Sequence, residues 1–458
     1  MKISPLTSAS VAAQVAALRP PVATGREVAE VVAALLADVR ERGDAAVVEA
    51  TARFDHPKAG EADLVVPAKD LEKAYGEAHP TIIAALETAR DNCTFFHRHE
   101  LTPDWEDTGA QGQRLGIRHL PVRRAGLYVP GGLGSYASTV IMNSVPALVA
   151  GVEELIICTP PRRDGSVNRS VLAAARLMGI HRVFRAGGAQ AIAAMAYGTA
   201  TIPRVDVICG PGNAYVMEAK RQVYGIVGID NLAGPSEVLV VADETACPEW
   251  IAADLLAQEE HGSGAQAVLI AASEDLVRRA AGAIEVLRAA ELDDERERGE
   301  GGVAHWTTES SLSAFYPAQG EDFLALAALL TNTYAPEHLE VQVADPHAFL
   351  PLVTSAGAVF LGHHTPTAYG DYVAGSNHVL PTGGAARFSS PLSVDTFRRK
   401  SSYVEMSPEA VELLTPCLAA IADSEGFTFH RISAELRAKD LGCKTSGASG
   451  DGGGQSCL

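Results

Sequence analysis

The sequence predicts an α/β fold built from parallel sheets, and its apolar pattern supports this in two ways. Short apolar segments alternate along the chain with helical segments of about ten residues, which is the pattern of βαβ units. The alternation comes in two blocks, and the Gly- and Pro-containing segment at 233–236 lies between them. At 458 residues the chain is also too long for one simple core, so we expect at least two α/β domains.

The first block begins with helices and continues as alternating strands and helices. Apolar residues recur at helical spacing over 26–52, with an ending at Gly43, and again over 68–98. A short strand then runs into the glycine-rich turn 126–132. Further strands are predicted at 154–158, 181–185 and 205–208, and helices at 139–150, 169–178, 189–197 and 213–223.

The second block repeats this alternation. Strands are predicted at 237–242, 266–272 and 357–361, and helices at 248–260 and 274–291. The charged stretch 293–302 is interpreted as a solvated loop. A helical region follows at 407–441, and the Gly/Ser-rich tail is predicted to be disordered.

Composition and charge exclude several classes of protein. The chain has 37 basic and 56 acidic residues, a net charge of −19, whereas a nucleic-acid-binding protein would show a basic surface. There is no apolar run of transmembrane length and no signal-peptide pattern at the start, so we expect a cytoplasmic protein. None of the seven cysteines forms a C-x-x-C pair, and Cys158 and Cys209 end apolar strands, which favours buried, unreactive thiols.

Three polar clusters in the second half of the chain are candidates for a functional site. They are QEEH at 258–261, APEHLE at 335–340 and GDY at 370–372. Metal sites need nitrogen and oxygen donors, and a Glu beside a His offers two proton carriers with different pKa values. Each cluster alone also fits a structural interpretation, such as a helix-end His near the helix dipole or a surface Glu–His pair.

Spacing suggests how two of these clusters present their side chains. Gln258 and His261 are three residues apart near the end of a helix predicted to stop at Gly262, so both should project from its last turn. Pro336 should hold the backbone before Glu337 extended and thereby fix where the Glu–His pair points.

Two glycine turns are candidates for a nucleotide site. GGAQ at 187–190 and GPGN at 210–213 each follow a strand and open a helix, and such a helix N-terminus can bind an anion. Tight packing of the turns explains the glycines equally well. Neither turn matches G-x-G-x-x-G, and the chain contains no P-loop, serine-hydrolase elbow or H-E-x-x-H motif.

Taken in order, these segments resemble the histidinol dehydrogenase family over residues 25–440. The motifs that carry the resemblance are GLYVPGG at 126–132, AGGAQAIAA at 186–194, GPGNAYV at 210–216, AGPSEVLV at 233–240, APEHLE at 335–340 and NHVLPT at 377–382. The family fold has two incomplete Rossmann-like parallel-sheet domains with small helical N- and C-terminal segments. This agrees with the two blocks above, and these proteins hold NAD without the G-x-G-x-x-G fingerprint.

The resemblance also implies a division of the chain. The parts are an N-terminal helical segment at 1–24, a first α/β domain at 25–126 plus 236–390, a second α/β domain at 127–235, a C-terminal helical segment at 391–443 and a disordered tail at 444–458. The first α/β domain would carry most metal and catalytic residues, and the second would bind NAD. The C-terminal segment would contribute to the active site of a partner subunit.

The activity that the resemblance implies is a zinc-dependent, four-electron oxidation of L-histidinol to L-histidine, through the aldehyde, with two NAD molecules. Glu337 would activate water at the aldehyde stage, and His338 would carry protons in both oxidations. The implied ligands of one zinc ion per subunit are Gln258, His261, Asp371 and His430, the last from the partner in a homodimer. The implied substrate contacts are Ser236, Gln258, His261, His338, Asp371, Glu425 and His430, and the NAD contacts are Tyr128, Gln190 and Asn213.

A few positions depart from the usual family pattern without removing a proposed site residue. Glu259 stands where Ala is commoner and is expected to face away from the ligands. The turn at 132–138 lacks a common proline, and Phe427 stands where Leu is usual, so His430 rests on the shortest match. The role of His378 in the NHVLPT motif stays open.

Two other functions remain open from sequence alone. A paralogue with the same fold could oxidise another small alcohol, as the sulfopropanediol dehydrogenases do, although Tyr372, Glu425 and His430 favour histidinol. A zinc hydrolase would use Glu337 as its base and would need no NAD.

Overall fold

The computed structural model of the chain describes residues 1–19, 25–131, 136–262, 264–298 and 311–439. They form two compact units. Within the described ranges, the main unit contains Met1–Leu101 and Pro121–Arg398, and the small unit contains Thr102–Leu120 and the residues from Arg399 to Lys439. The tail that is predicted to be disordered, 444–458, lies outside the described residues.

Strands and helices alternate along most of this chain. The strands are β1 (Lys2–Leu6), β2 (Trp105–Thr108), β3 (Arg114–Pro121), β4 (Arg124–Tyr128), β5 (Glu154–Thr159), β6 (Arg182–Arg185), β7 (Val207–Cys209), β8 (Gly228–Ile229), β9 (Glu237–Ala242), β10 (Gln266–Ala271), β11 (Ser311–Pro317), β12 (His338–Gln342), β13 (Ala358–Leu361) and β14 (Arg398–Glu405). The helices are α1 (Val11–Leu18), α2 (Arg26–Arg42), α3 (Asp44–Phe54), α4 (Ala68–Glu77), α5 (Pro80–Arg98), α6 (Ala137–Ala150), α7 (Arg169–Leu177), α8 (Gly188–Tyr197), α9 (Ala214–Val223), α10 (Pro248–Glu259), α11 (Glu274–Arg298), α12 (Phe323–Tyr334), α13 (Pro346–Phe349), α14 (Thr367–Tyr372), α15 (Pro408–Ser424) and α16 (Thr428–Ala438). None of the helices in the described ranges is long and apolar enough to cross a membrane.

The larger sheet of the main unit has six parallel strands in the order β1–β11–β10–β9–β12–β13. Strands β9 and β12 are buried along their whole length, as expected for a sheet covered on both faces. Leu239 and Val241 point into one core with α1 and α12, whereas Val238 and Val240 point into another with α10 and α11. Alternate residues of one strand thus fill two cores, because side chains alternate across a pleated sheet.

The second sheet of the main unit has five parallel strands in the order β6–β5–β4–β7–β8. Leu127 packs on one face with α4 to α7, and Tyr128 packs on the other with α2, α8 and α9. Cys158 and Cys209 are buried here, as predicted, and burial raises the pKa of both thiols. Two parallel sheets covered by helices confirm the predicted α/β class. The finer division into α/β domains stays a prediction.

The small unit contains a three-stranded sheet in the order β14–β3–β2, in which β2 and β3 are antiparallel. Its helices α15 and α16 pack against each other. The segment 391–443, predicted to be helical, therefore includes strand β14 before its first long helix begins at Pro408.

One local prediction is incomplete and one is wrong. The N-terminal segment 1–24, predicted to be helical, contains helix α1 at Val11–Leu18 but starts with β1, because residues 2–6 pair in parallel with β11 at the edge of the large sheet. The charged stretch 293–302, predicted to be a loop, is helical at 293–298, and residues 299–302 lie outside the described ranges. Its residues are mostly good helix formers and contain no glycine before Gly299, so nothing local stops the helix earlier.

Candidate functional site

A buried Glu–His pair lies at the amino end of β12, an interior strand of the large sheet. Helix α12 ends at Tyr334, and the next residue, Ala335, has a φ of +46°, in the left-handed region that residues with a side chain rarely adopt. The backbone before Pro336 is therefore left-handed rather than extended, which corrects the prediction. Glu337 and His338 follow this turn, and both are buried. An unfavourable backbone conformation next to two buried ionisable groups is typical of a functional site.

Two donors at the start of β9 hold the Glu337 carboxylate. Ser236 Oγ donates to Glu337 Oε2 at 2.6 Å, and the backbone N–H of Glu237 donates to the same oxygen at 2.9 Å. Ser236, which the sequence suggests as a substrate contact, thus lies beside the candidate base. Because Oε2 accepts both hydrogen bonds, Oε1 is the oxygen available to a water molecule or a substrate.

The same segment orients His338. Its Nδ1 lies 3.1 Å from the carbonyl oxygen of Glu237, so Nδ1 carries the hydrogen and Nε2 is the other, available nitrogen. Nε2 is buried without a hydrogen-bond partner among the described residues, and Asp371 Oδ1 lies 3.5 Å away, too far for a strong hydrogen bond. Burial opposes protonation of the imidazole, but the negative charges of Glu337 and Asp371 outweigh it and raise the pKa of His338 to about 9.

Asp371 lies on the short helix α14 and interacts with three histidines. Burial alone would raise its pKa, but His338, His378 and His261 lower it overall, so the carboxylate is ionised at neutral pH. The backbone carbonyl of Asp371 accepts a hydrogen bond from His378 Nδ1 at 3.0 Å, and burial lowers the pKa of this imidazole. The structure therefore adds His378, whose role the sequence leaves open, to the surroundings of the candidate ligand.

The candidate ligands Gln258 and His261 lie at the carboxyl end of α10. The helix ends at Glu259 rather than at Gly262, and His261 lies in the turn that follows it. Gln258 is 3% exposed and its Nε2 has no hydrogen-bond partner within the described ranges, whereas His261 is exposed. Glu259 is buried and pairs with Arg288 at 2.5 Å, so its carboxylate points toward α11.

The donors at this site fit a zinc ion. In the part of the chain that the structure describes, no three His, Cys, Asp or Glu side chains already converge as metal ligands. The candidates in the main unit are nevertheless an amide, an imidazole and a carboxylate, a mixture of nitrogen and oxygen donors that zinc accepts. Gln258 would bind zinc through its amide oxygen, Oε1, because the unpartnered Nε2 is a hydrogen-bond donor.

A cavity of about 880 Å³ contains the three candidate NAD contacts, Tyr128, Gln190 and Asn213. The Tyr128 hydroxyl accepts a hydrogen bond from the Gly188 N–H at 3.1 Å, and burial raises the pKa of this tyrosine to about 12. Asn213 caps α9 by accepting hydrogen bonds from two backbone N–H groups. Helices α8 and α9 thus both begin at the cavity wall, and the Glu–His pair does not line it.

Two features of this cavity cannot be found by sequence reasoning. Asp55 lies in its wall with a carboxylate oxygen 3.5 Å from Gln190 Nε2, and burial raises the pKa of Asp55 to about 6. Behind the second glycine turn, Lys220 and Asp230 form a buried ion pair that also bonds to the backbone of Gly210. No local sequence pattern marks these residues. Asp55 meets Gln190 from a distant segment, and the segments that carry Lys220 and Asp230 are ordinary in composition.

Arg19 is a further residue that sequence reasoning misses. Its guanidinium forms an ion pair with Glu237, donates to the carbonyl oxygen of Tyr334 and lies 3.9 Å from the centre of the Tyr334 ring. Since the Glu237 backbone bonds to both Glu337 and His338, Arg19 anchors the strand that supports this pair.

Glu425 and His430 lie in the small unit. They line a largely apolar cavity of about 820 Å³ formed by residues of α15, α16 and the chain next to them. Large apolar side chains of this region are exposed, among them Phe429, which is 84% exposed. The main unit therefore supplies Gln258, His261 and Asp371 but not the fourth candidate ligand.

Comparison with known proteins identifies the family. Residues 19–438 match the family model described as histidinol dehydrogenase. A histidinol dehydrogenase of Synechococcus sp. is 48% identical over 403 residues, which cover 88% of this chain and 90% of that protein. One of Syntrophotalea carbinolica is 45% identical over 417 residues, or 90% of this chain and 93% of that protein. The crystal structure of a histidinol dehydrogenase from Elizabethkingia anophelis has a TM-score of 0.87 and 32% identity, covering 96% of this chain and 99% of that chain. The chain therefore belongs to the histidinol dehydrogenase family.

Proposed function

We propose that this protein oxidises L-histidinol to L-histidine in two successive steps, with zinc at the Glu–His site and NAD in the 880 Å³ cavity. Membership of the family supports an oxidoreductase of histidine biosynthesis. The arrangement of Glu337 and His338 is the main support for the finer proposal. Residues at the start of β9 bond to Glu337 Oε2 and to His338 Nδ1. Glu337 Oε1 and His338 Nε2 therefore stay available to substrate or water.

Four electrons leave the substrate as two hydrides, and each hydride is accepted by one NAD⁺. In the first step hydride leaves the carbinol carbon and His338 takes the hydroxyl proton, which gives the aldehyde. Glu337 then takes a proton from water as the water oxygen adds to the aldehyde carbon, and the former carbonyl oxygen takes a proton from solvent to give the hydrate. After His338 has released its proton to solvent, it takes a hydroxyl proton of the hydrate as the second hydride leaves, and the carboxylic acid product ionises.

Gln258, His261 and Asp371 would hold the zinc ion together with His430 of the partner subunit. When bound, zinc supplies an anchor for the amine and imidazole of the substrate and a positive charge that favours the neutral form of His338. That charge matters because the two carboxylates alone raise the pKa of His338 to about 9. Ser236 and the partner subunit's Glu425 are the remaining proposed substrate contacts.

The cavity around Tyr128, Gln190 and Asn213 suits a dinucleotide. The N-termini of α8 and α9 open onto it, and the first-turn N–H groups that are not bonded to Tyr128 or Asn213 can bind the oxygens of a pyrophosphate. The Tyr128 hydroxyl stays protonated because of its high pKa, so it can donate to the ligand while it accepts from Gly188.

We also propose a homodimer in which each subunit completes the site of the other. The main unit offers one zinc ligand too few, and His430 lies among exposed apolar side chains in the small unit. An apolar surface of this kind usually marks a protein–protein contact.

Reduction of NAD, followed by the absorbance of NADH, tests the activity. We expect two NADH for each L-histidinol consumed, loss of activity with a chelator and recovery with zinc. Reduction with a sulfonated or other small alcohol but not with histidinol would indicate the paralogous activity. Hydrolytic turnover without NAD would indicate a zinc hydrolase and would reject the proposal.

Glu337→Gln tests the assignment of the two proton carriers. The variant lacks the base that activates water, so the first oxidation should continue while the second slows, and aldehyde should accumulate with one NADH formed per histidinol. Glu249→Gln is the matched control, since Glu249 is exposed on α10 and should leave both steps unchanged. Equal slowing of both steps in Glu337→Gln would contradict the assignment.

Mixing two inactive variants tests the shared site. His261→Ala and His430→Ala should each lose zinc and activity while they still dimerise. In a hybrid dimer one of the two sites again has its complete ligand set, so random mixing should restore about a quarter of the wild-type activity. Undiminished zinc in His430→Ala, or no recovery on mixing, would remove His430 from the ligand set.

A further inference from the structure

Next to the proposed zinc site, a pair of carboxyl groups joins two of the elements that form it: Glu340 is buried and Asp254 is half-buried. Glu340 and Gln342 follow His338 on the same face of β12, and they are 1% and 3% exposed. Gln342 Nε2 donates to Asp254 Oδ2 at 2.7 Å and to Glu340 Oε2 at 3.1 Å. One side-chain amide thus links a carboxyl group on α10 to a carboxyl group on β12.

Glu340 also holds the start of α14. Thr367, the first residue of that helix, donates to Glu340 Oε1 from its backbone N–H at 2.7 Å and from its hydroxyl at 2.6 Å. Asp371 follows four residues after Thr367, and Asp254 precedes Gln258 by the same four residues on α10. Since four residues make about one helical turn, the carboxyl pair is bonded to each ligand-bearing helix one turn away from the proposed ligand.

Ionisation of both carboxyl groups is unfavourable at neutral pH. Gln342 Nε2 donates to one oxygen of each, so the two groups lie close together, and no basic side chain in the described ranges forms an ion pair with either. Burial, and then the charge of Glu340, raise the pKa of Asp254 to about 8. A protonated Asp254 that donates to the Glu340 carboxylate satisfies both groups, and the carboxylate then accepts from Thr367 and Gln342 as well.

We propose that Asp254 and Glu340 are positioning residues that share one proton and hold α10 and α14 against β12 at the spacing that zinc binding requires. The inference rests on the proposed zinc site. The pair acts through the two helices, so its loss should weaken zinc binding while the apolar cores on both faces of the sheet keep the protein folded.

Zinc affinity, measured by competition with a chelator, tests this role in the full-length protein. Asp254→Leu keeps a side chain of similar size but removes the donor, and we expect zinc affinity to fall about 10- to 100-fold. In Asp254→Asn the amide nitrogen can donate to Glu340 and the amide oxygen can accept from Gln342, as in the protonated acid. We expect its affinity to stay close to that of the wild type. Glu249→Gln, on the exposed surface of the same helix, is the control and should not change it.

Each outcome decides one part of the proposal. Wild-type zinc affinity in Asp254→Leu would overturn the positioning role. If the leucine variant does not fold, Thr367→Val, which removes one donor to Glu340, is used for the same test. A loss in Asp254→Asn as large as in Asp254→Leu would overturn the shared proton, because an ionised Asp254 would then be needed. The infrared band of a protonated carboxylic acid gives a readout without metal: it should appear in the metal-free wild type at neutral pH and disappear in Asp254→Asn. Its absence from the wild type would also reject the shared proton.

The same measurements separate this inference from the proposed function. If the wild type binds no zinc and reduces no NAD with histidinol, the proposed function fails and the positioning role fails with it. If the wild type binds zinc and is active while Asp254→Leu is unaffected, only the positioning role is rejected.

Discussion

Replacing Lys220 by methionine tests how the wall of the cofactor cavity is held in place. The Lys220 and Asp230 side chains are 1% and 2% exposed and form an ion pair. Lys220 Nζ donates to the Gly210 carbonyl oxygen at 3.0 Å, and Asp230 Oδ2 accepts from the Gly210 N–H at 2.7 Å. The pair therefore bonds to both backbone groups of the residue that begins the turn toward Asn213.

Lys220→Met keeps most of the aliphatic side chain but leaves Asp230 charged, buried and unpaired. Removing one partner of a buried ion pair costs about 3–5 kcal/mol, a large part of a typical unfolding free energy of about 5–15 kcal/mol. The double variant with Asp230→Asn removes both charges and keeps an oxygen that accepts from Gly210. We expect it to lose only about 1–3 kcal/mol, the cost of the Gly210 carbonyl left without a donor. Lys73→Met breaks the exposed pair with Glu77 and should cost less than about 1 kcal/mol.

Denaturant unfolding of the two single variants, the double variant and the Lys73→Met control measures these free energies. The KM for NAD with histidinol as substrate should rise in Lys220→Met more than kcat falls, since the turn that carries Asn213 loses its support. The reasoning is refuted if Lys220→Met is as stable as the wild type. It is also refuted if the double variant loses the sum of the two single losses, because the two charges would then act independently.

Three further predictions concern the cavity and the carboxyl pair. Gly210→Ala should lower the unfolding free energy by at least about 1–3 kcal/mol, because φ is +119° and a Cβ would lie 2.0 Å from the Tyr128 carbonyl oxygen. Gly282→Ala, in a helix where a Cβ meets nothing within 4 Å, should instead raise it by about 0.5–1 kcal/mol in the same denaturation experiment. Tyr128→Phe removes the acceptor of the Gly188 N–H and should weaken NAD binding and cost about 1–3 kcal/mol, which NAD titration and denaturation would measure. The pKa of Asp254 is about 8 in the folded protein against an ordinary value of 3.8, so the folded state keeps a proton that the unfolded chain releases. The unfolding free energy should therefore fall as the pH rises between these values, and unfolding curves of Asp254→Asn should show a smaller fall.

The fold could be predicted from sequence wherever a local pattern determines the element. The strand at 237–242 has the predicted bounds, and the helix at 248–260 differs by one residue, because apolar periodicity and turn formers mark both. Strand β1 could not be predicted in this way, since five residues of mixed character form a strand only when β11 offers an edge. Neither segment alone shows that it will pair with a segment more than 300 residues away.

Residues of the candidate site likewise differ in whether the local sequence marks them. Glu337, His338 and Asp371 stand out in the sequence because Glu, His and Asp next to Gly or Pro are unusual in apolar surroundings. Asp254 and Lys220 do not stand out, because a charged residue within a helix normally belongs to its solvated face. Only the folded chain reveals that Asp254 is half-buried and Lys220 fully buried, and that each is bonded to partners on other segments.

The two proposed sites use opposite ends of their strands. In the five-stranded sheet, Tyr128 ends β4, and the turns after β6 and β7 lead to Gln190 and Asn213. The cofactor cavity thus lies at the carboxyl ends of the strands, where ligands of open α/β sheets usually bind. In the six-stranded sheet, Ser236 and Glu337 precede β9 and β12, so the proposed zinc site lies at the amino ends.

The charge of each ligand gives a physical reason for this difference. Helices that follow parallel strands begin at the carboxyl ends of those strands, and the free N–H groups of α8 and α9 suit the phosphate anions of a dinucleotide. Helices that return toward the next strand end at the amino side, and the free carbonyl groups at the end of α10, beside Gln258, favour a cation. The first N–H of β9, that of Glu237, donates at this end to the Glu337 carboxylate, and its carbonyl accepts from His338. A cation at the carboxyl ends would face helix N-termini of the wrong polarity, so each of the two ligands suits the end of the strands at which its proposed site lies.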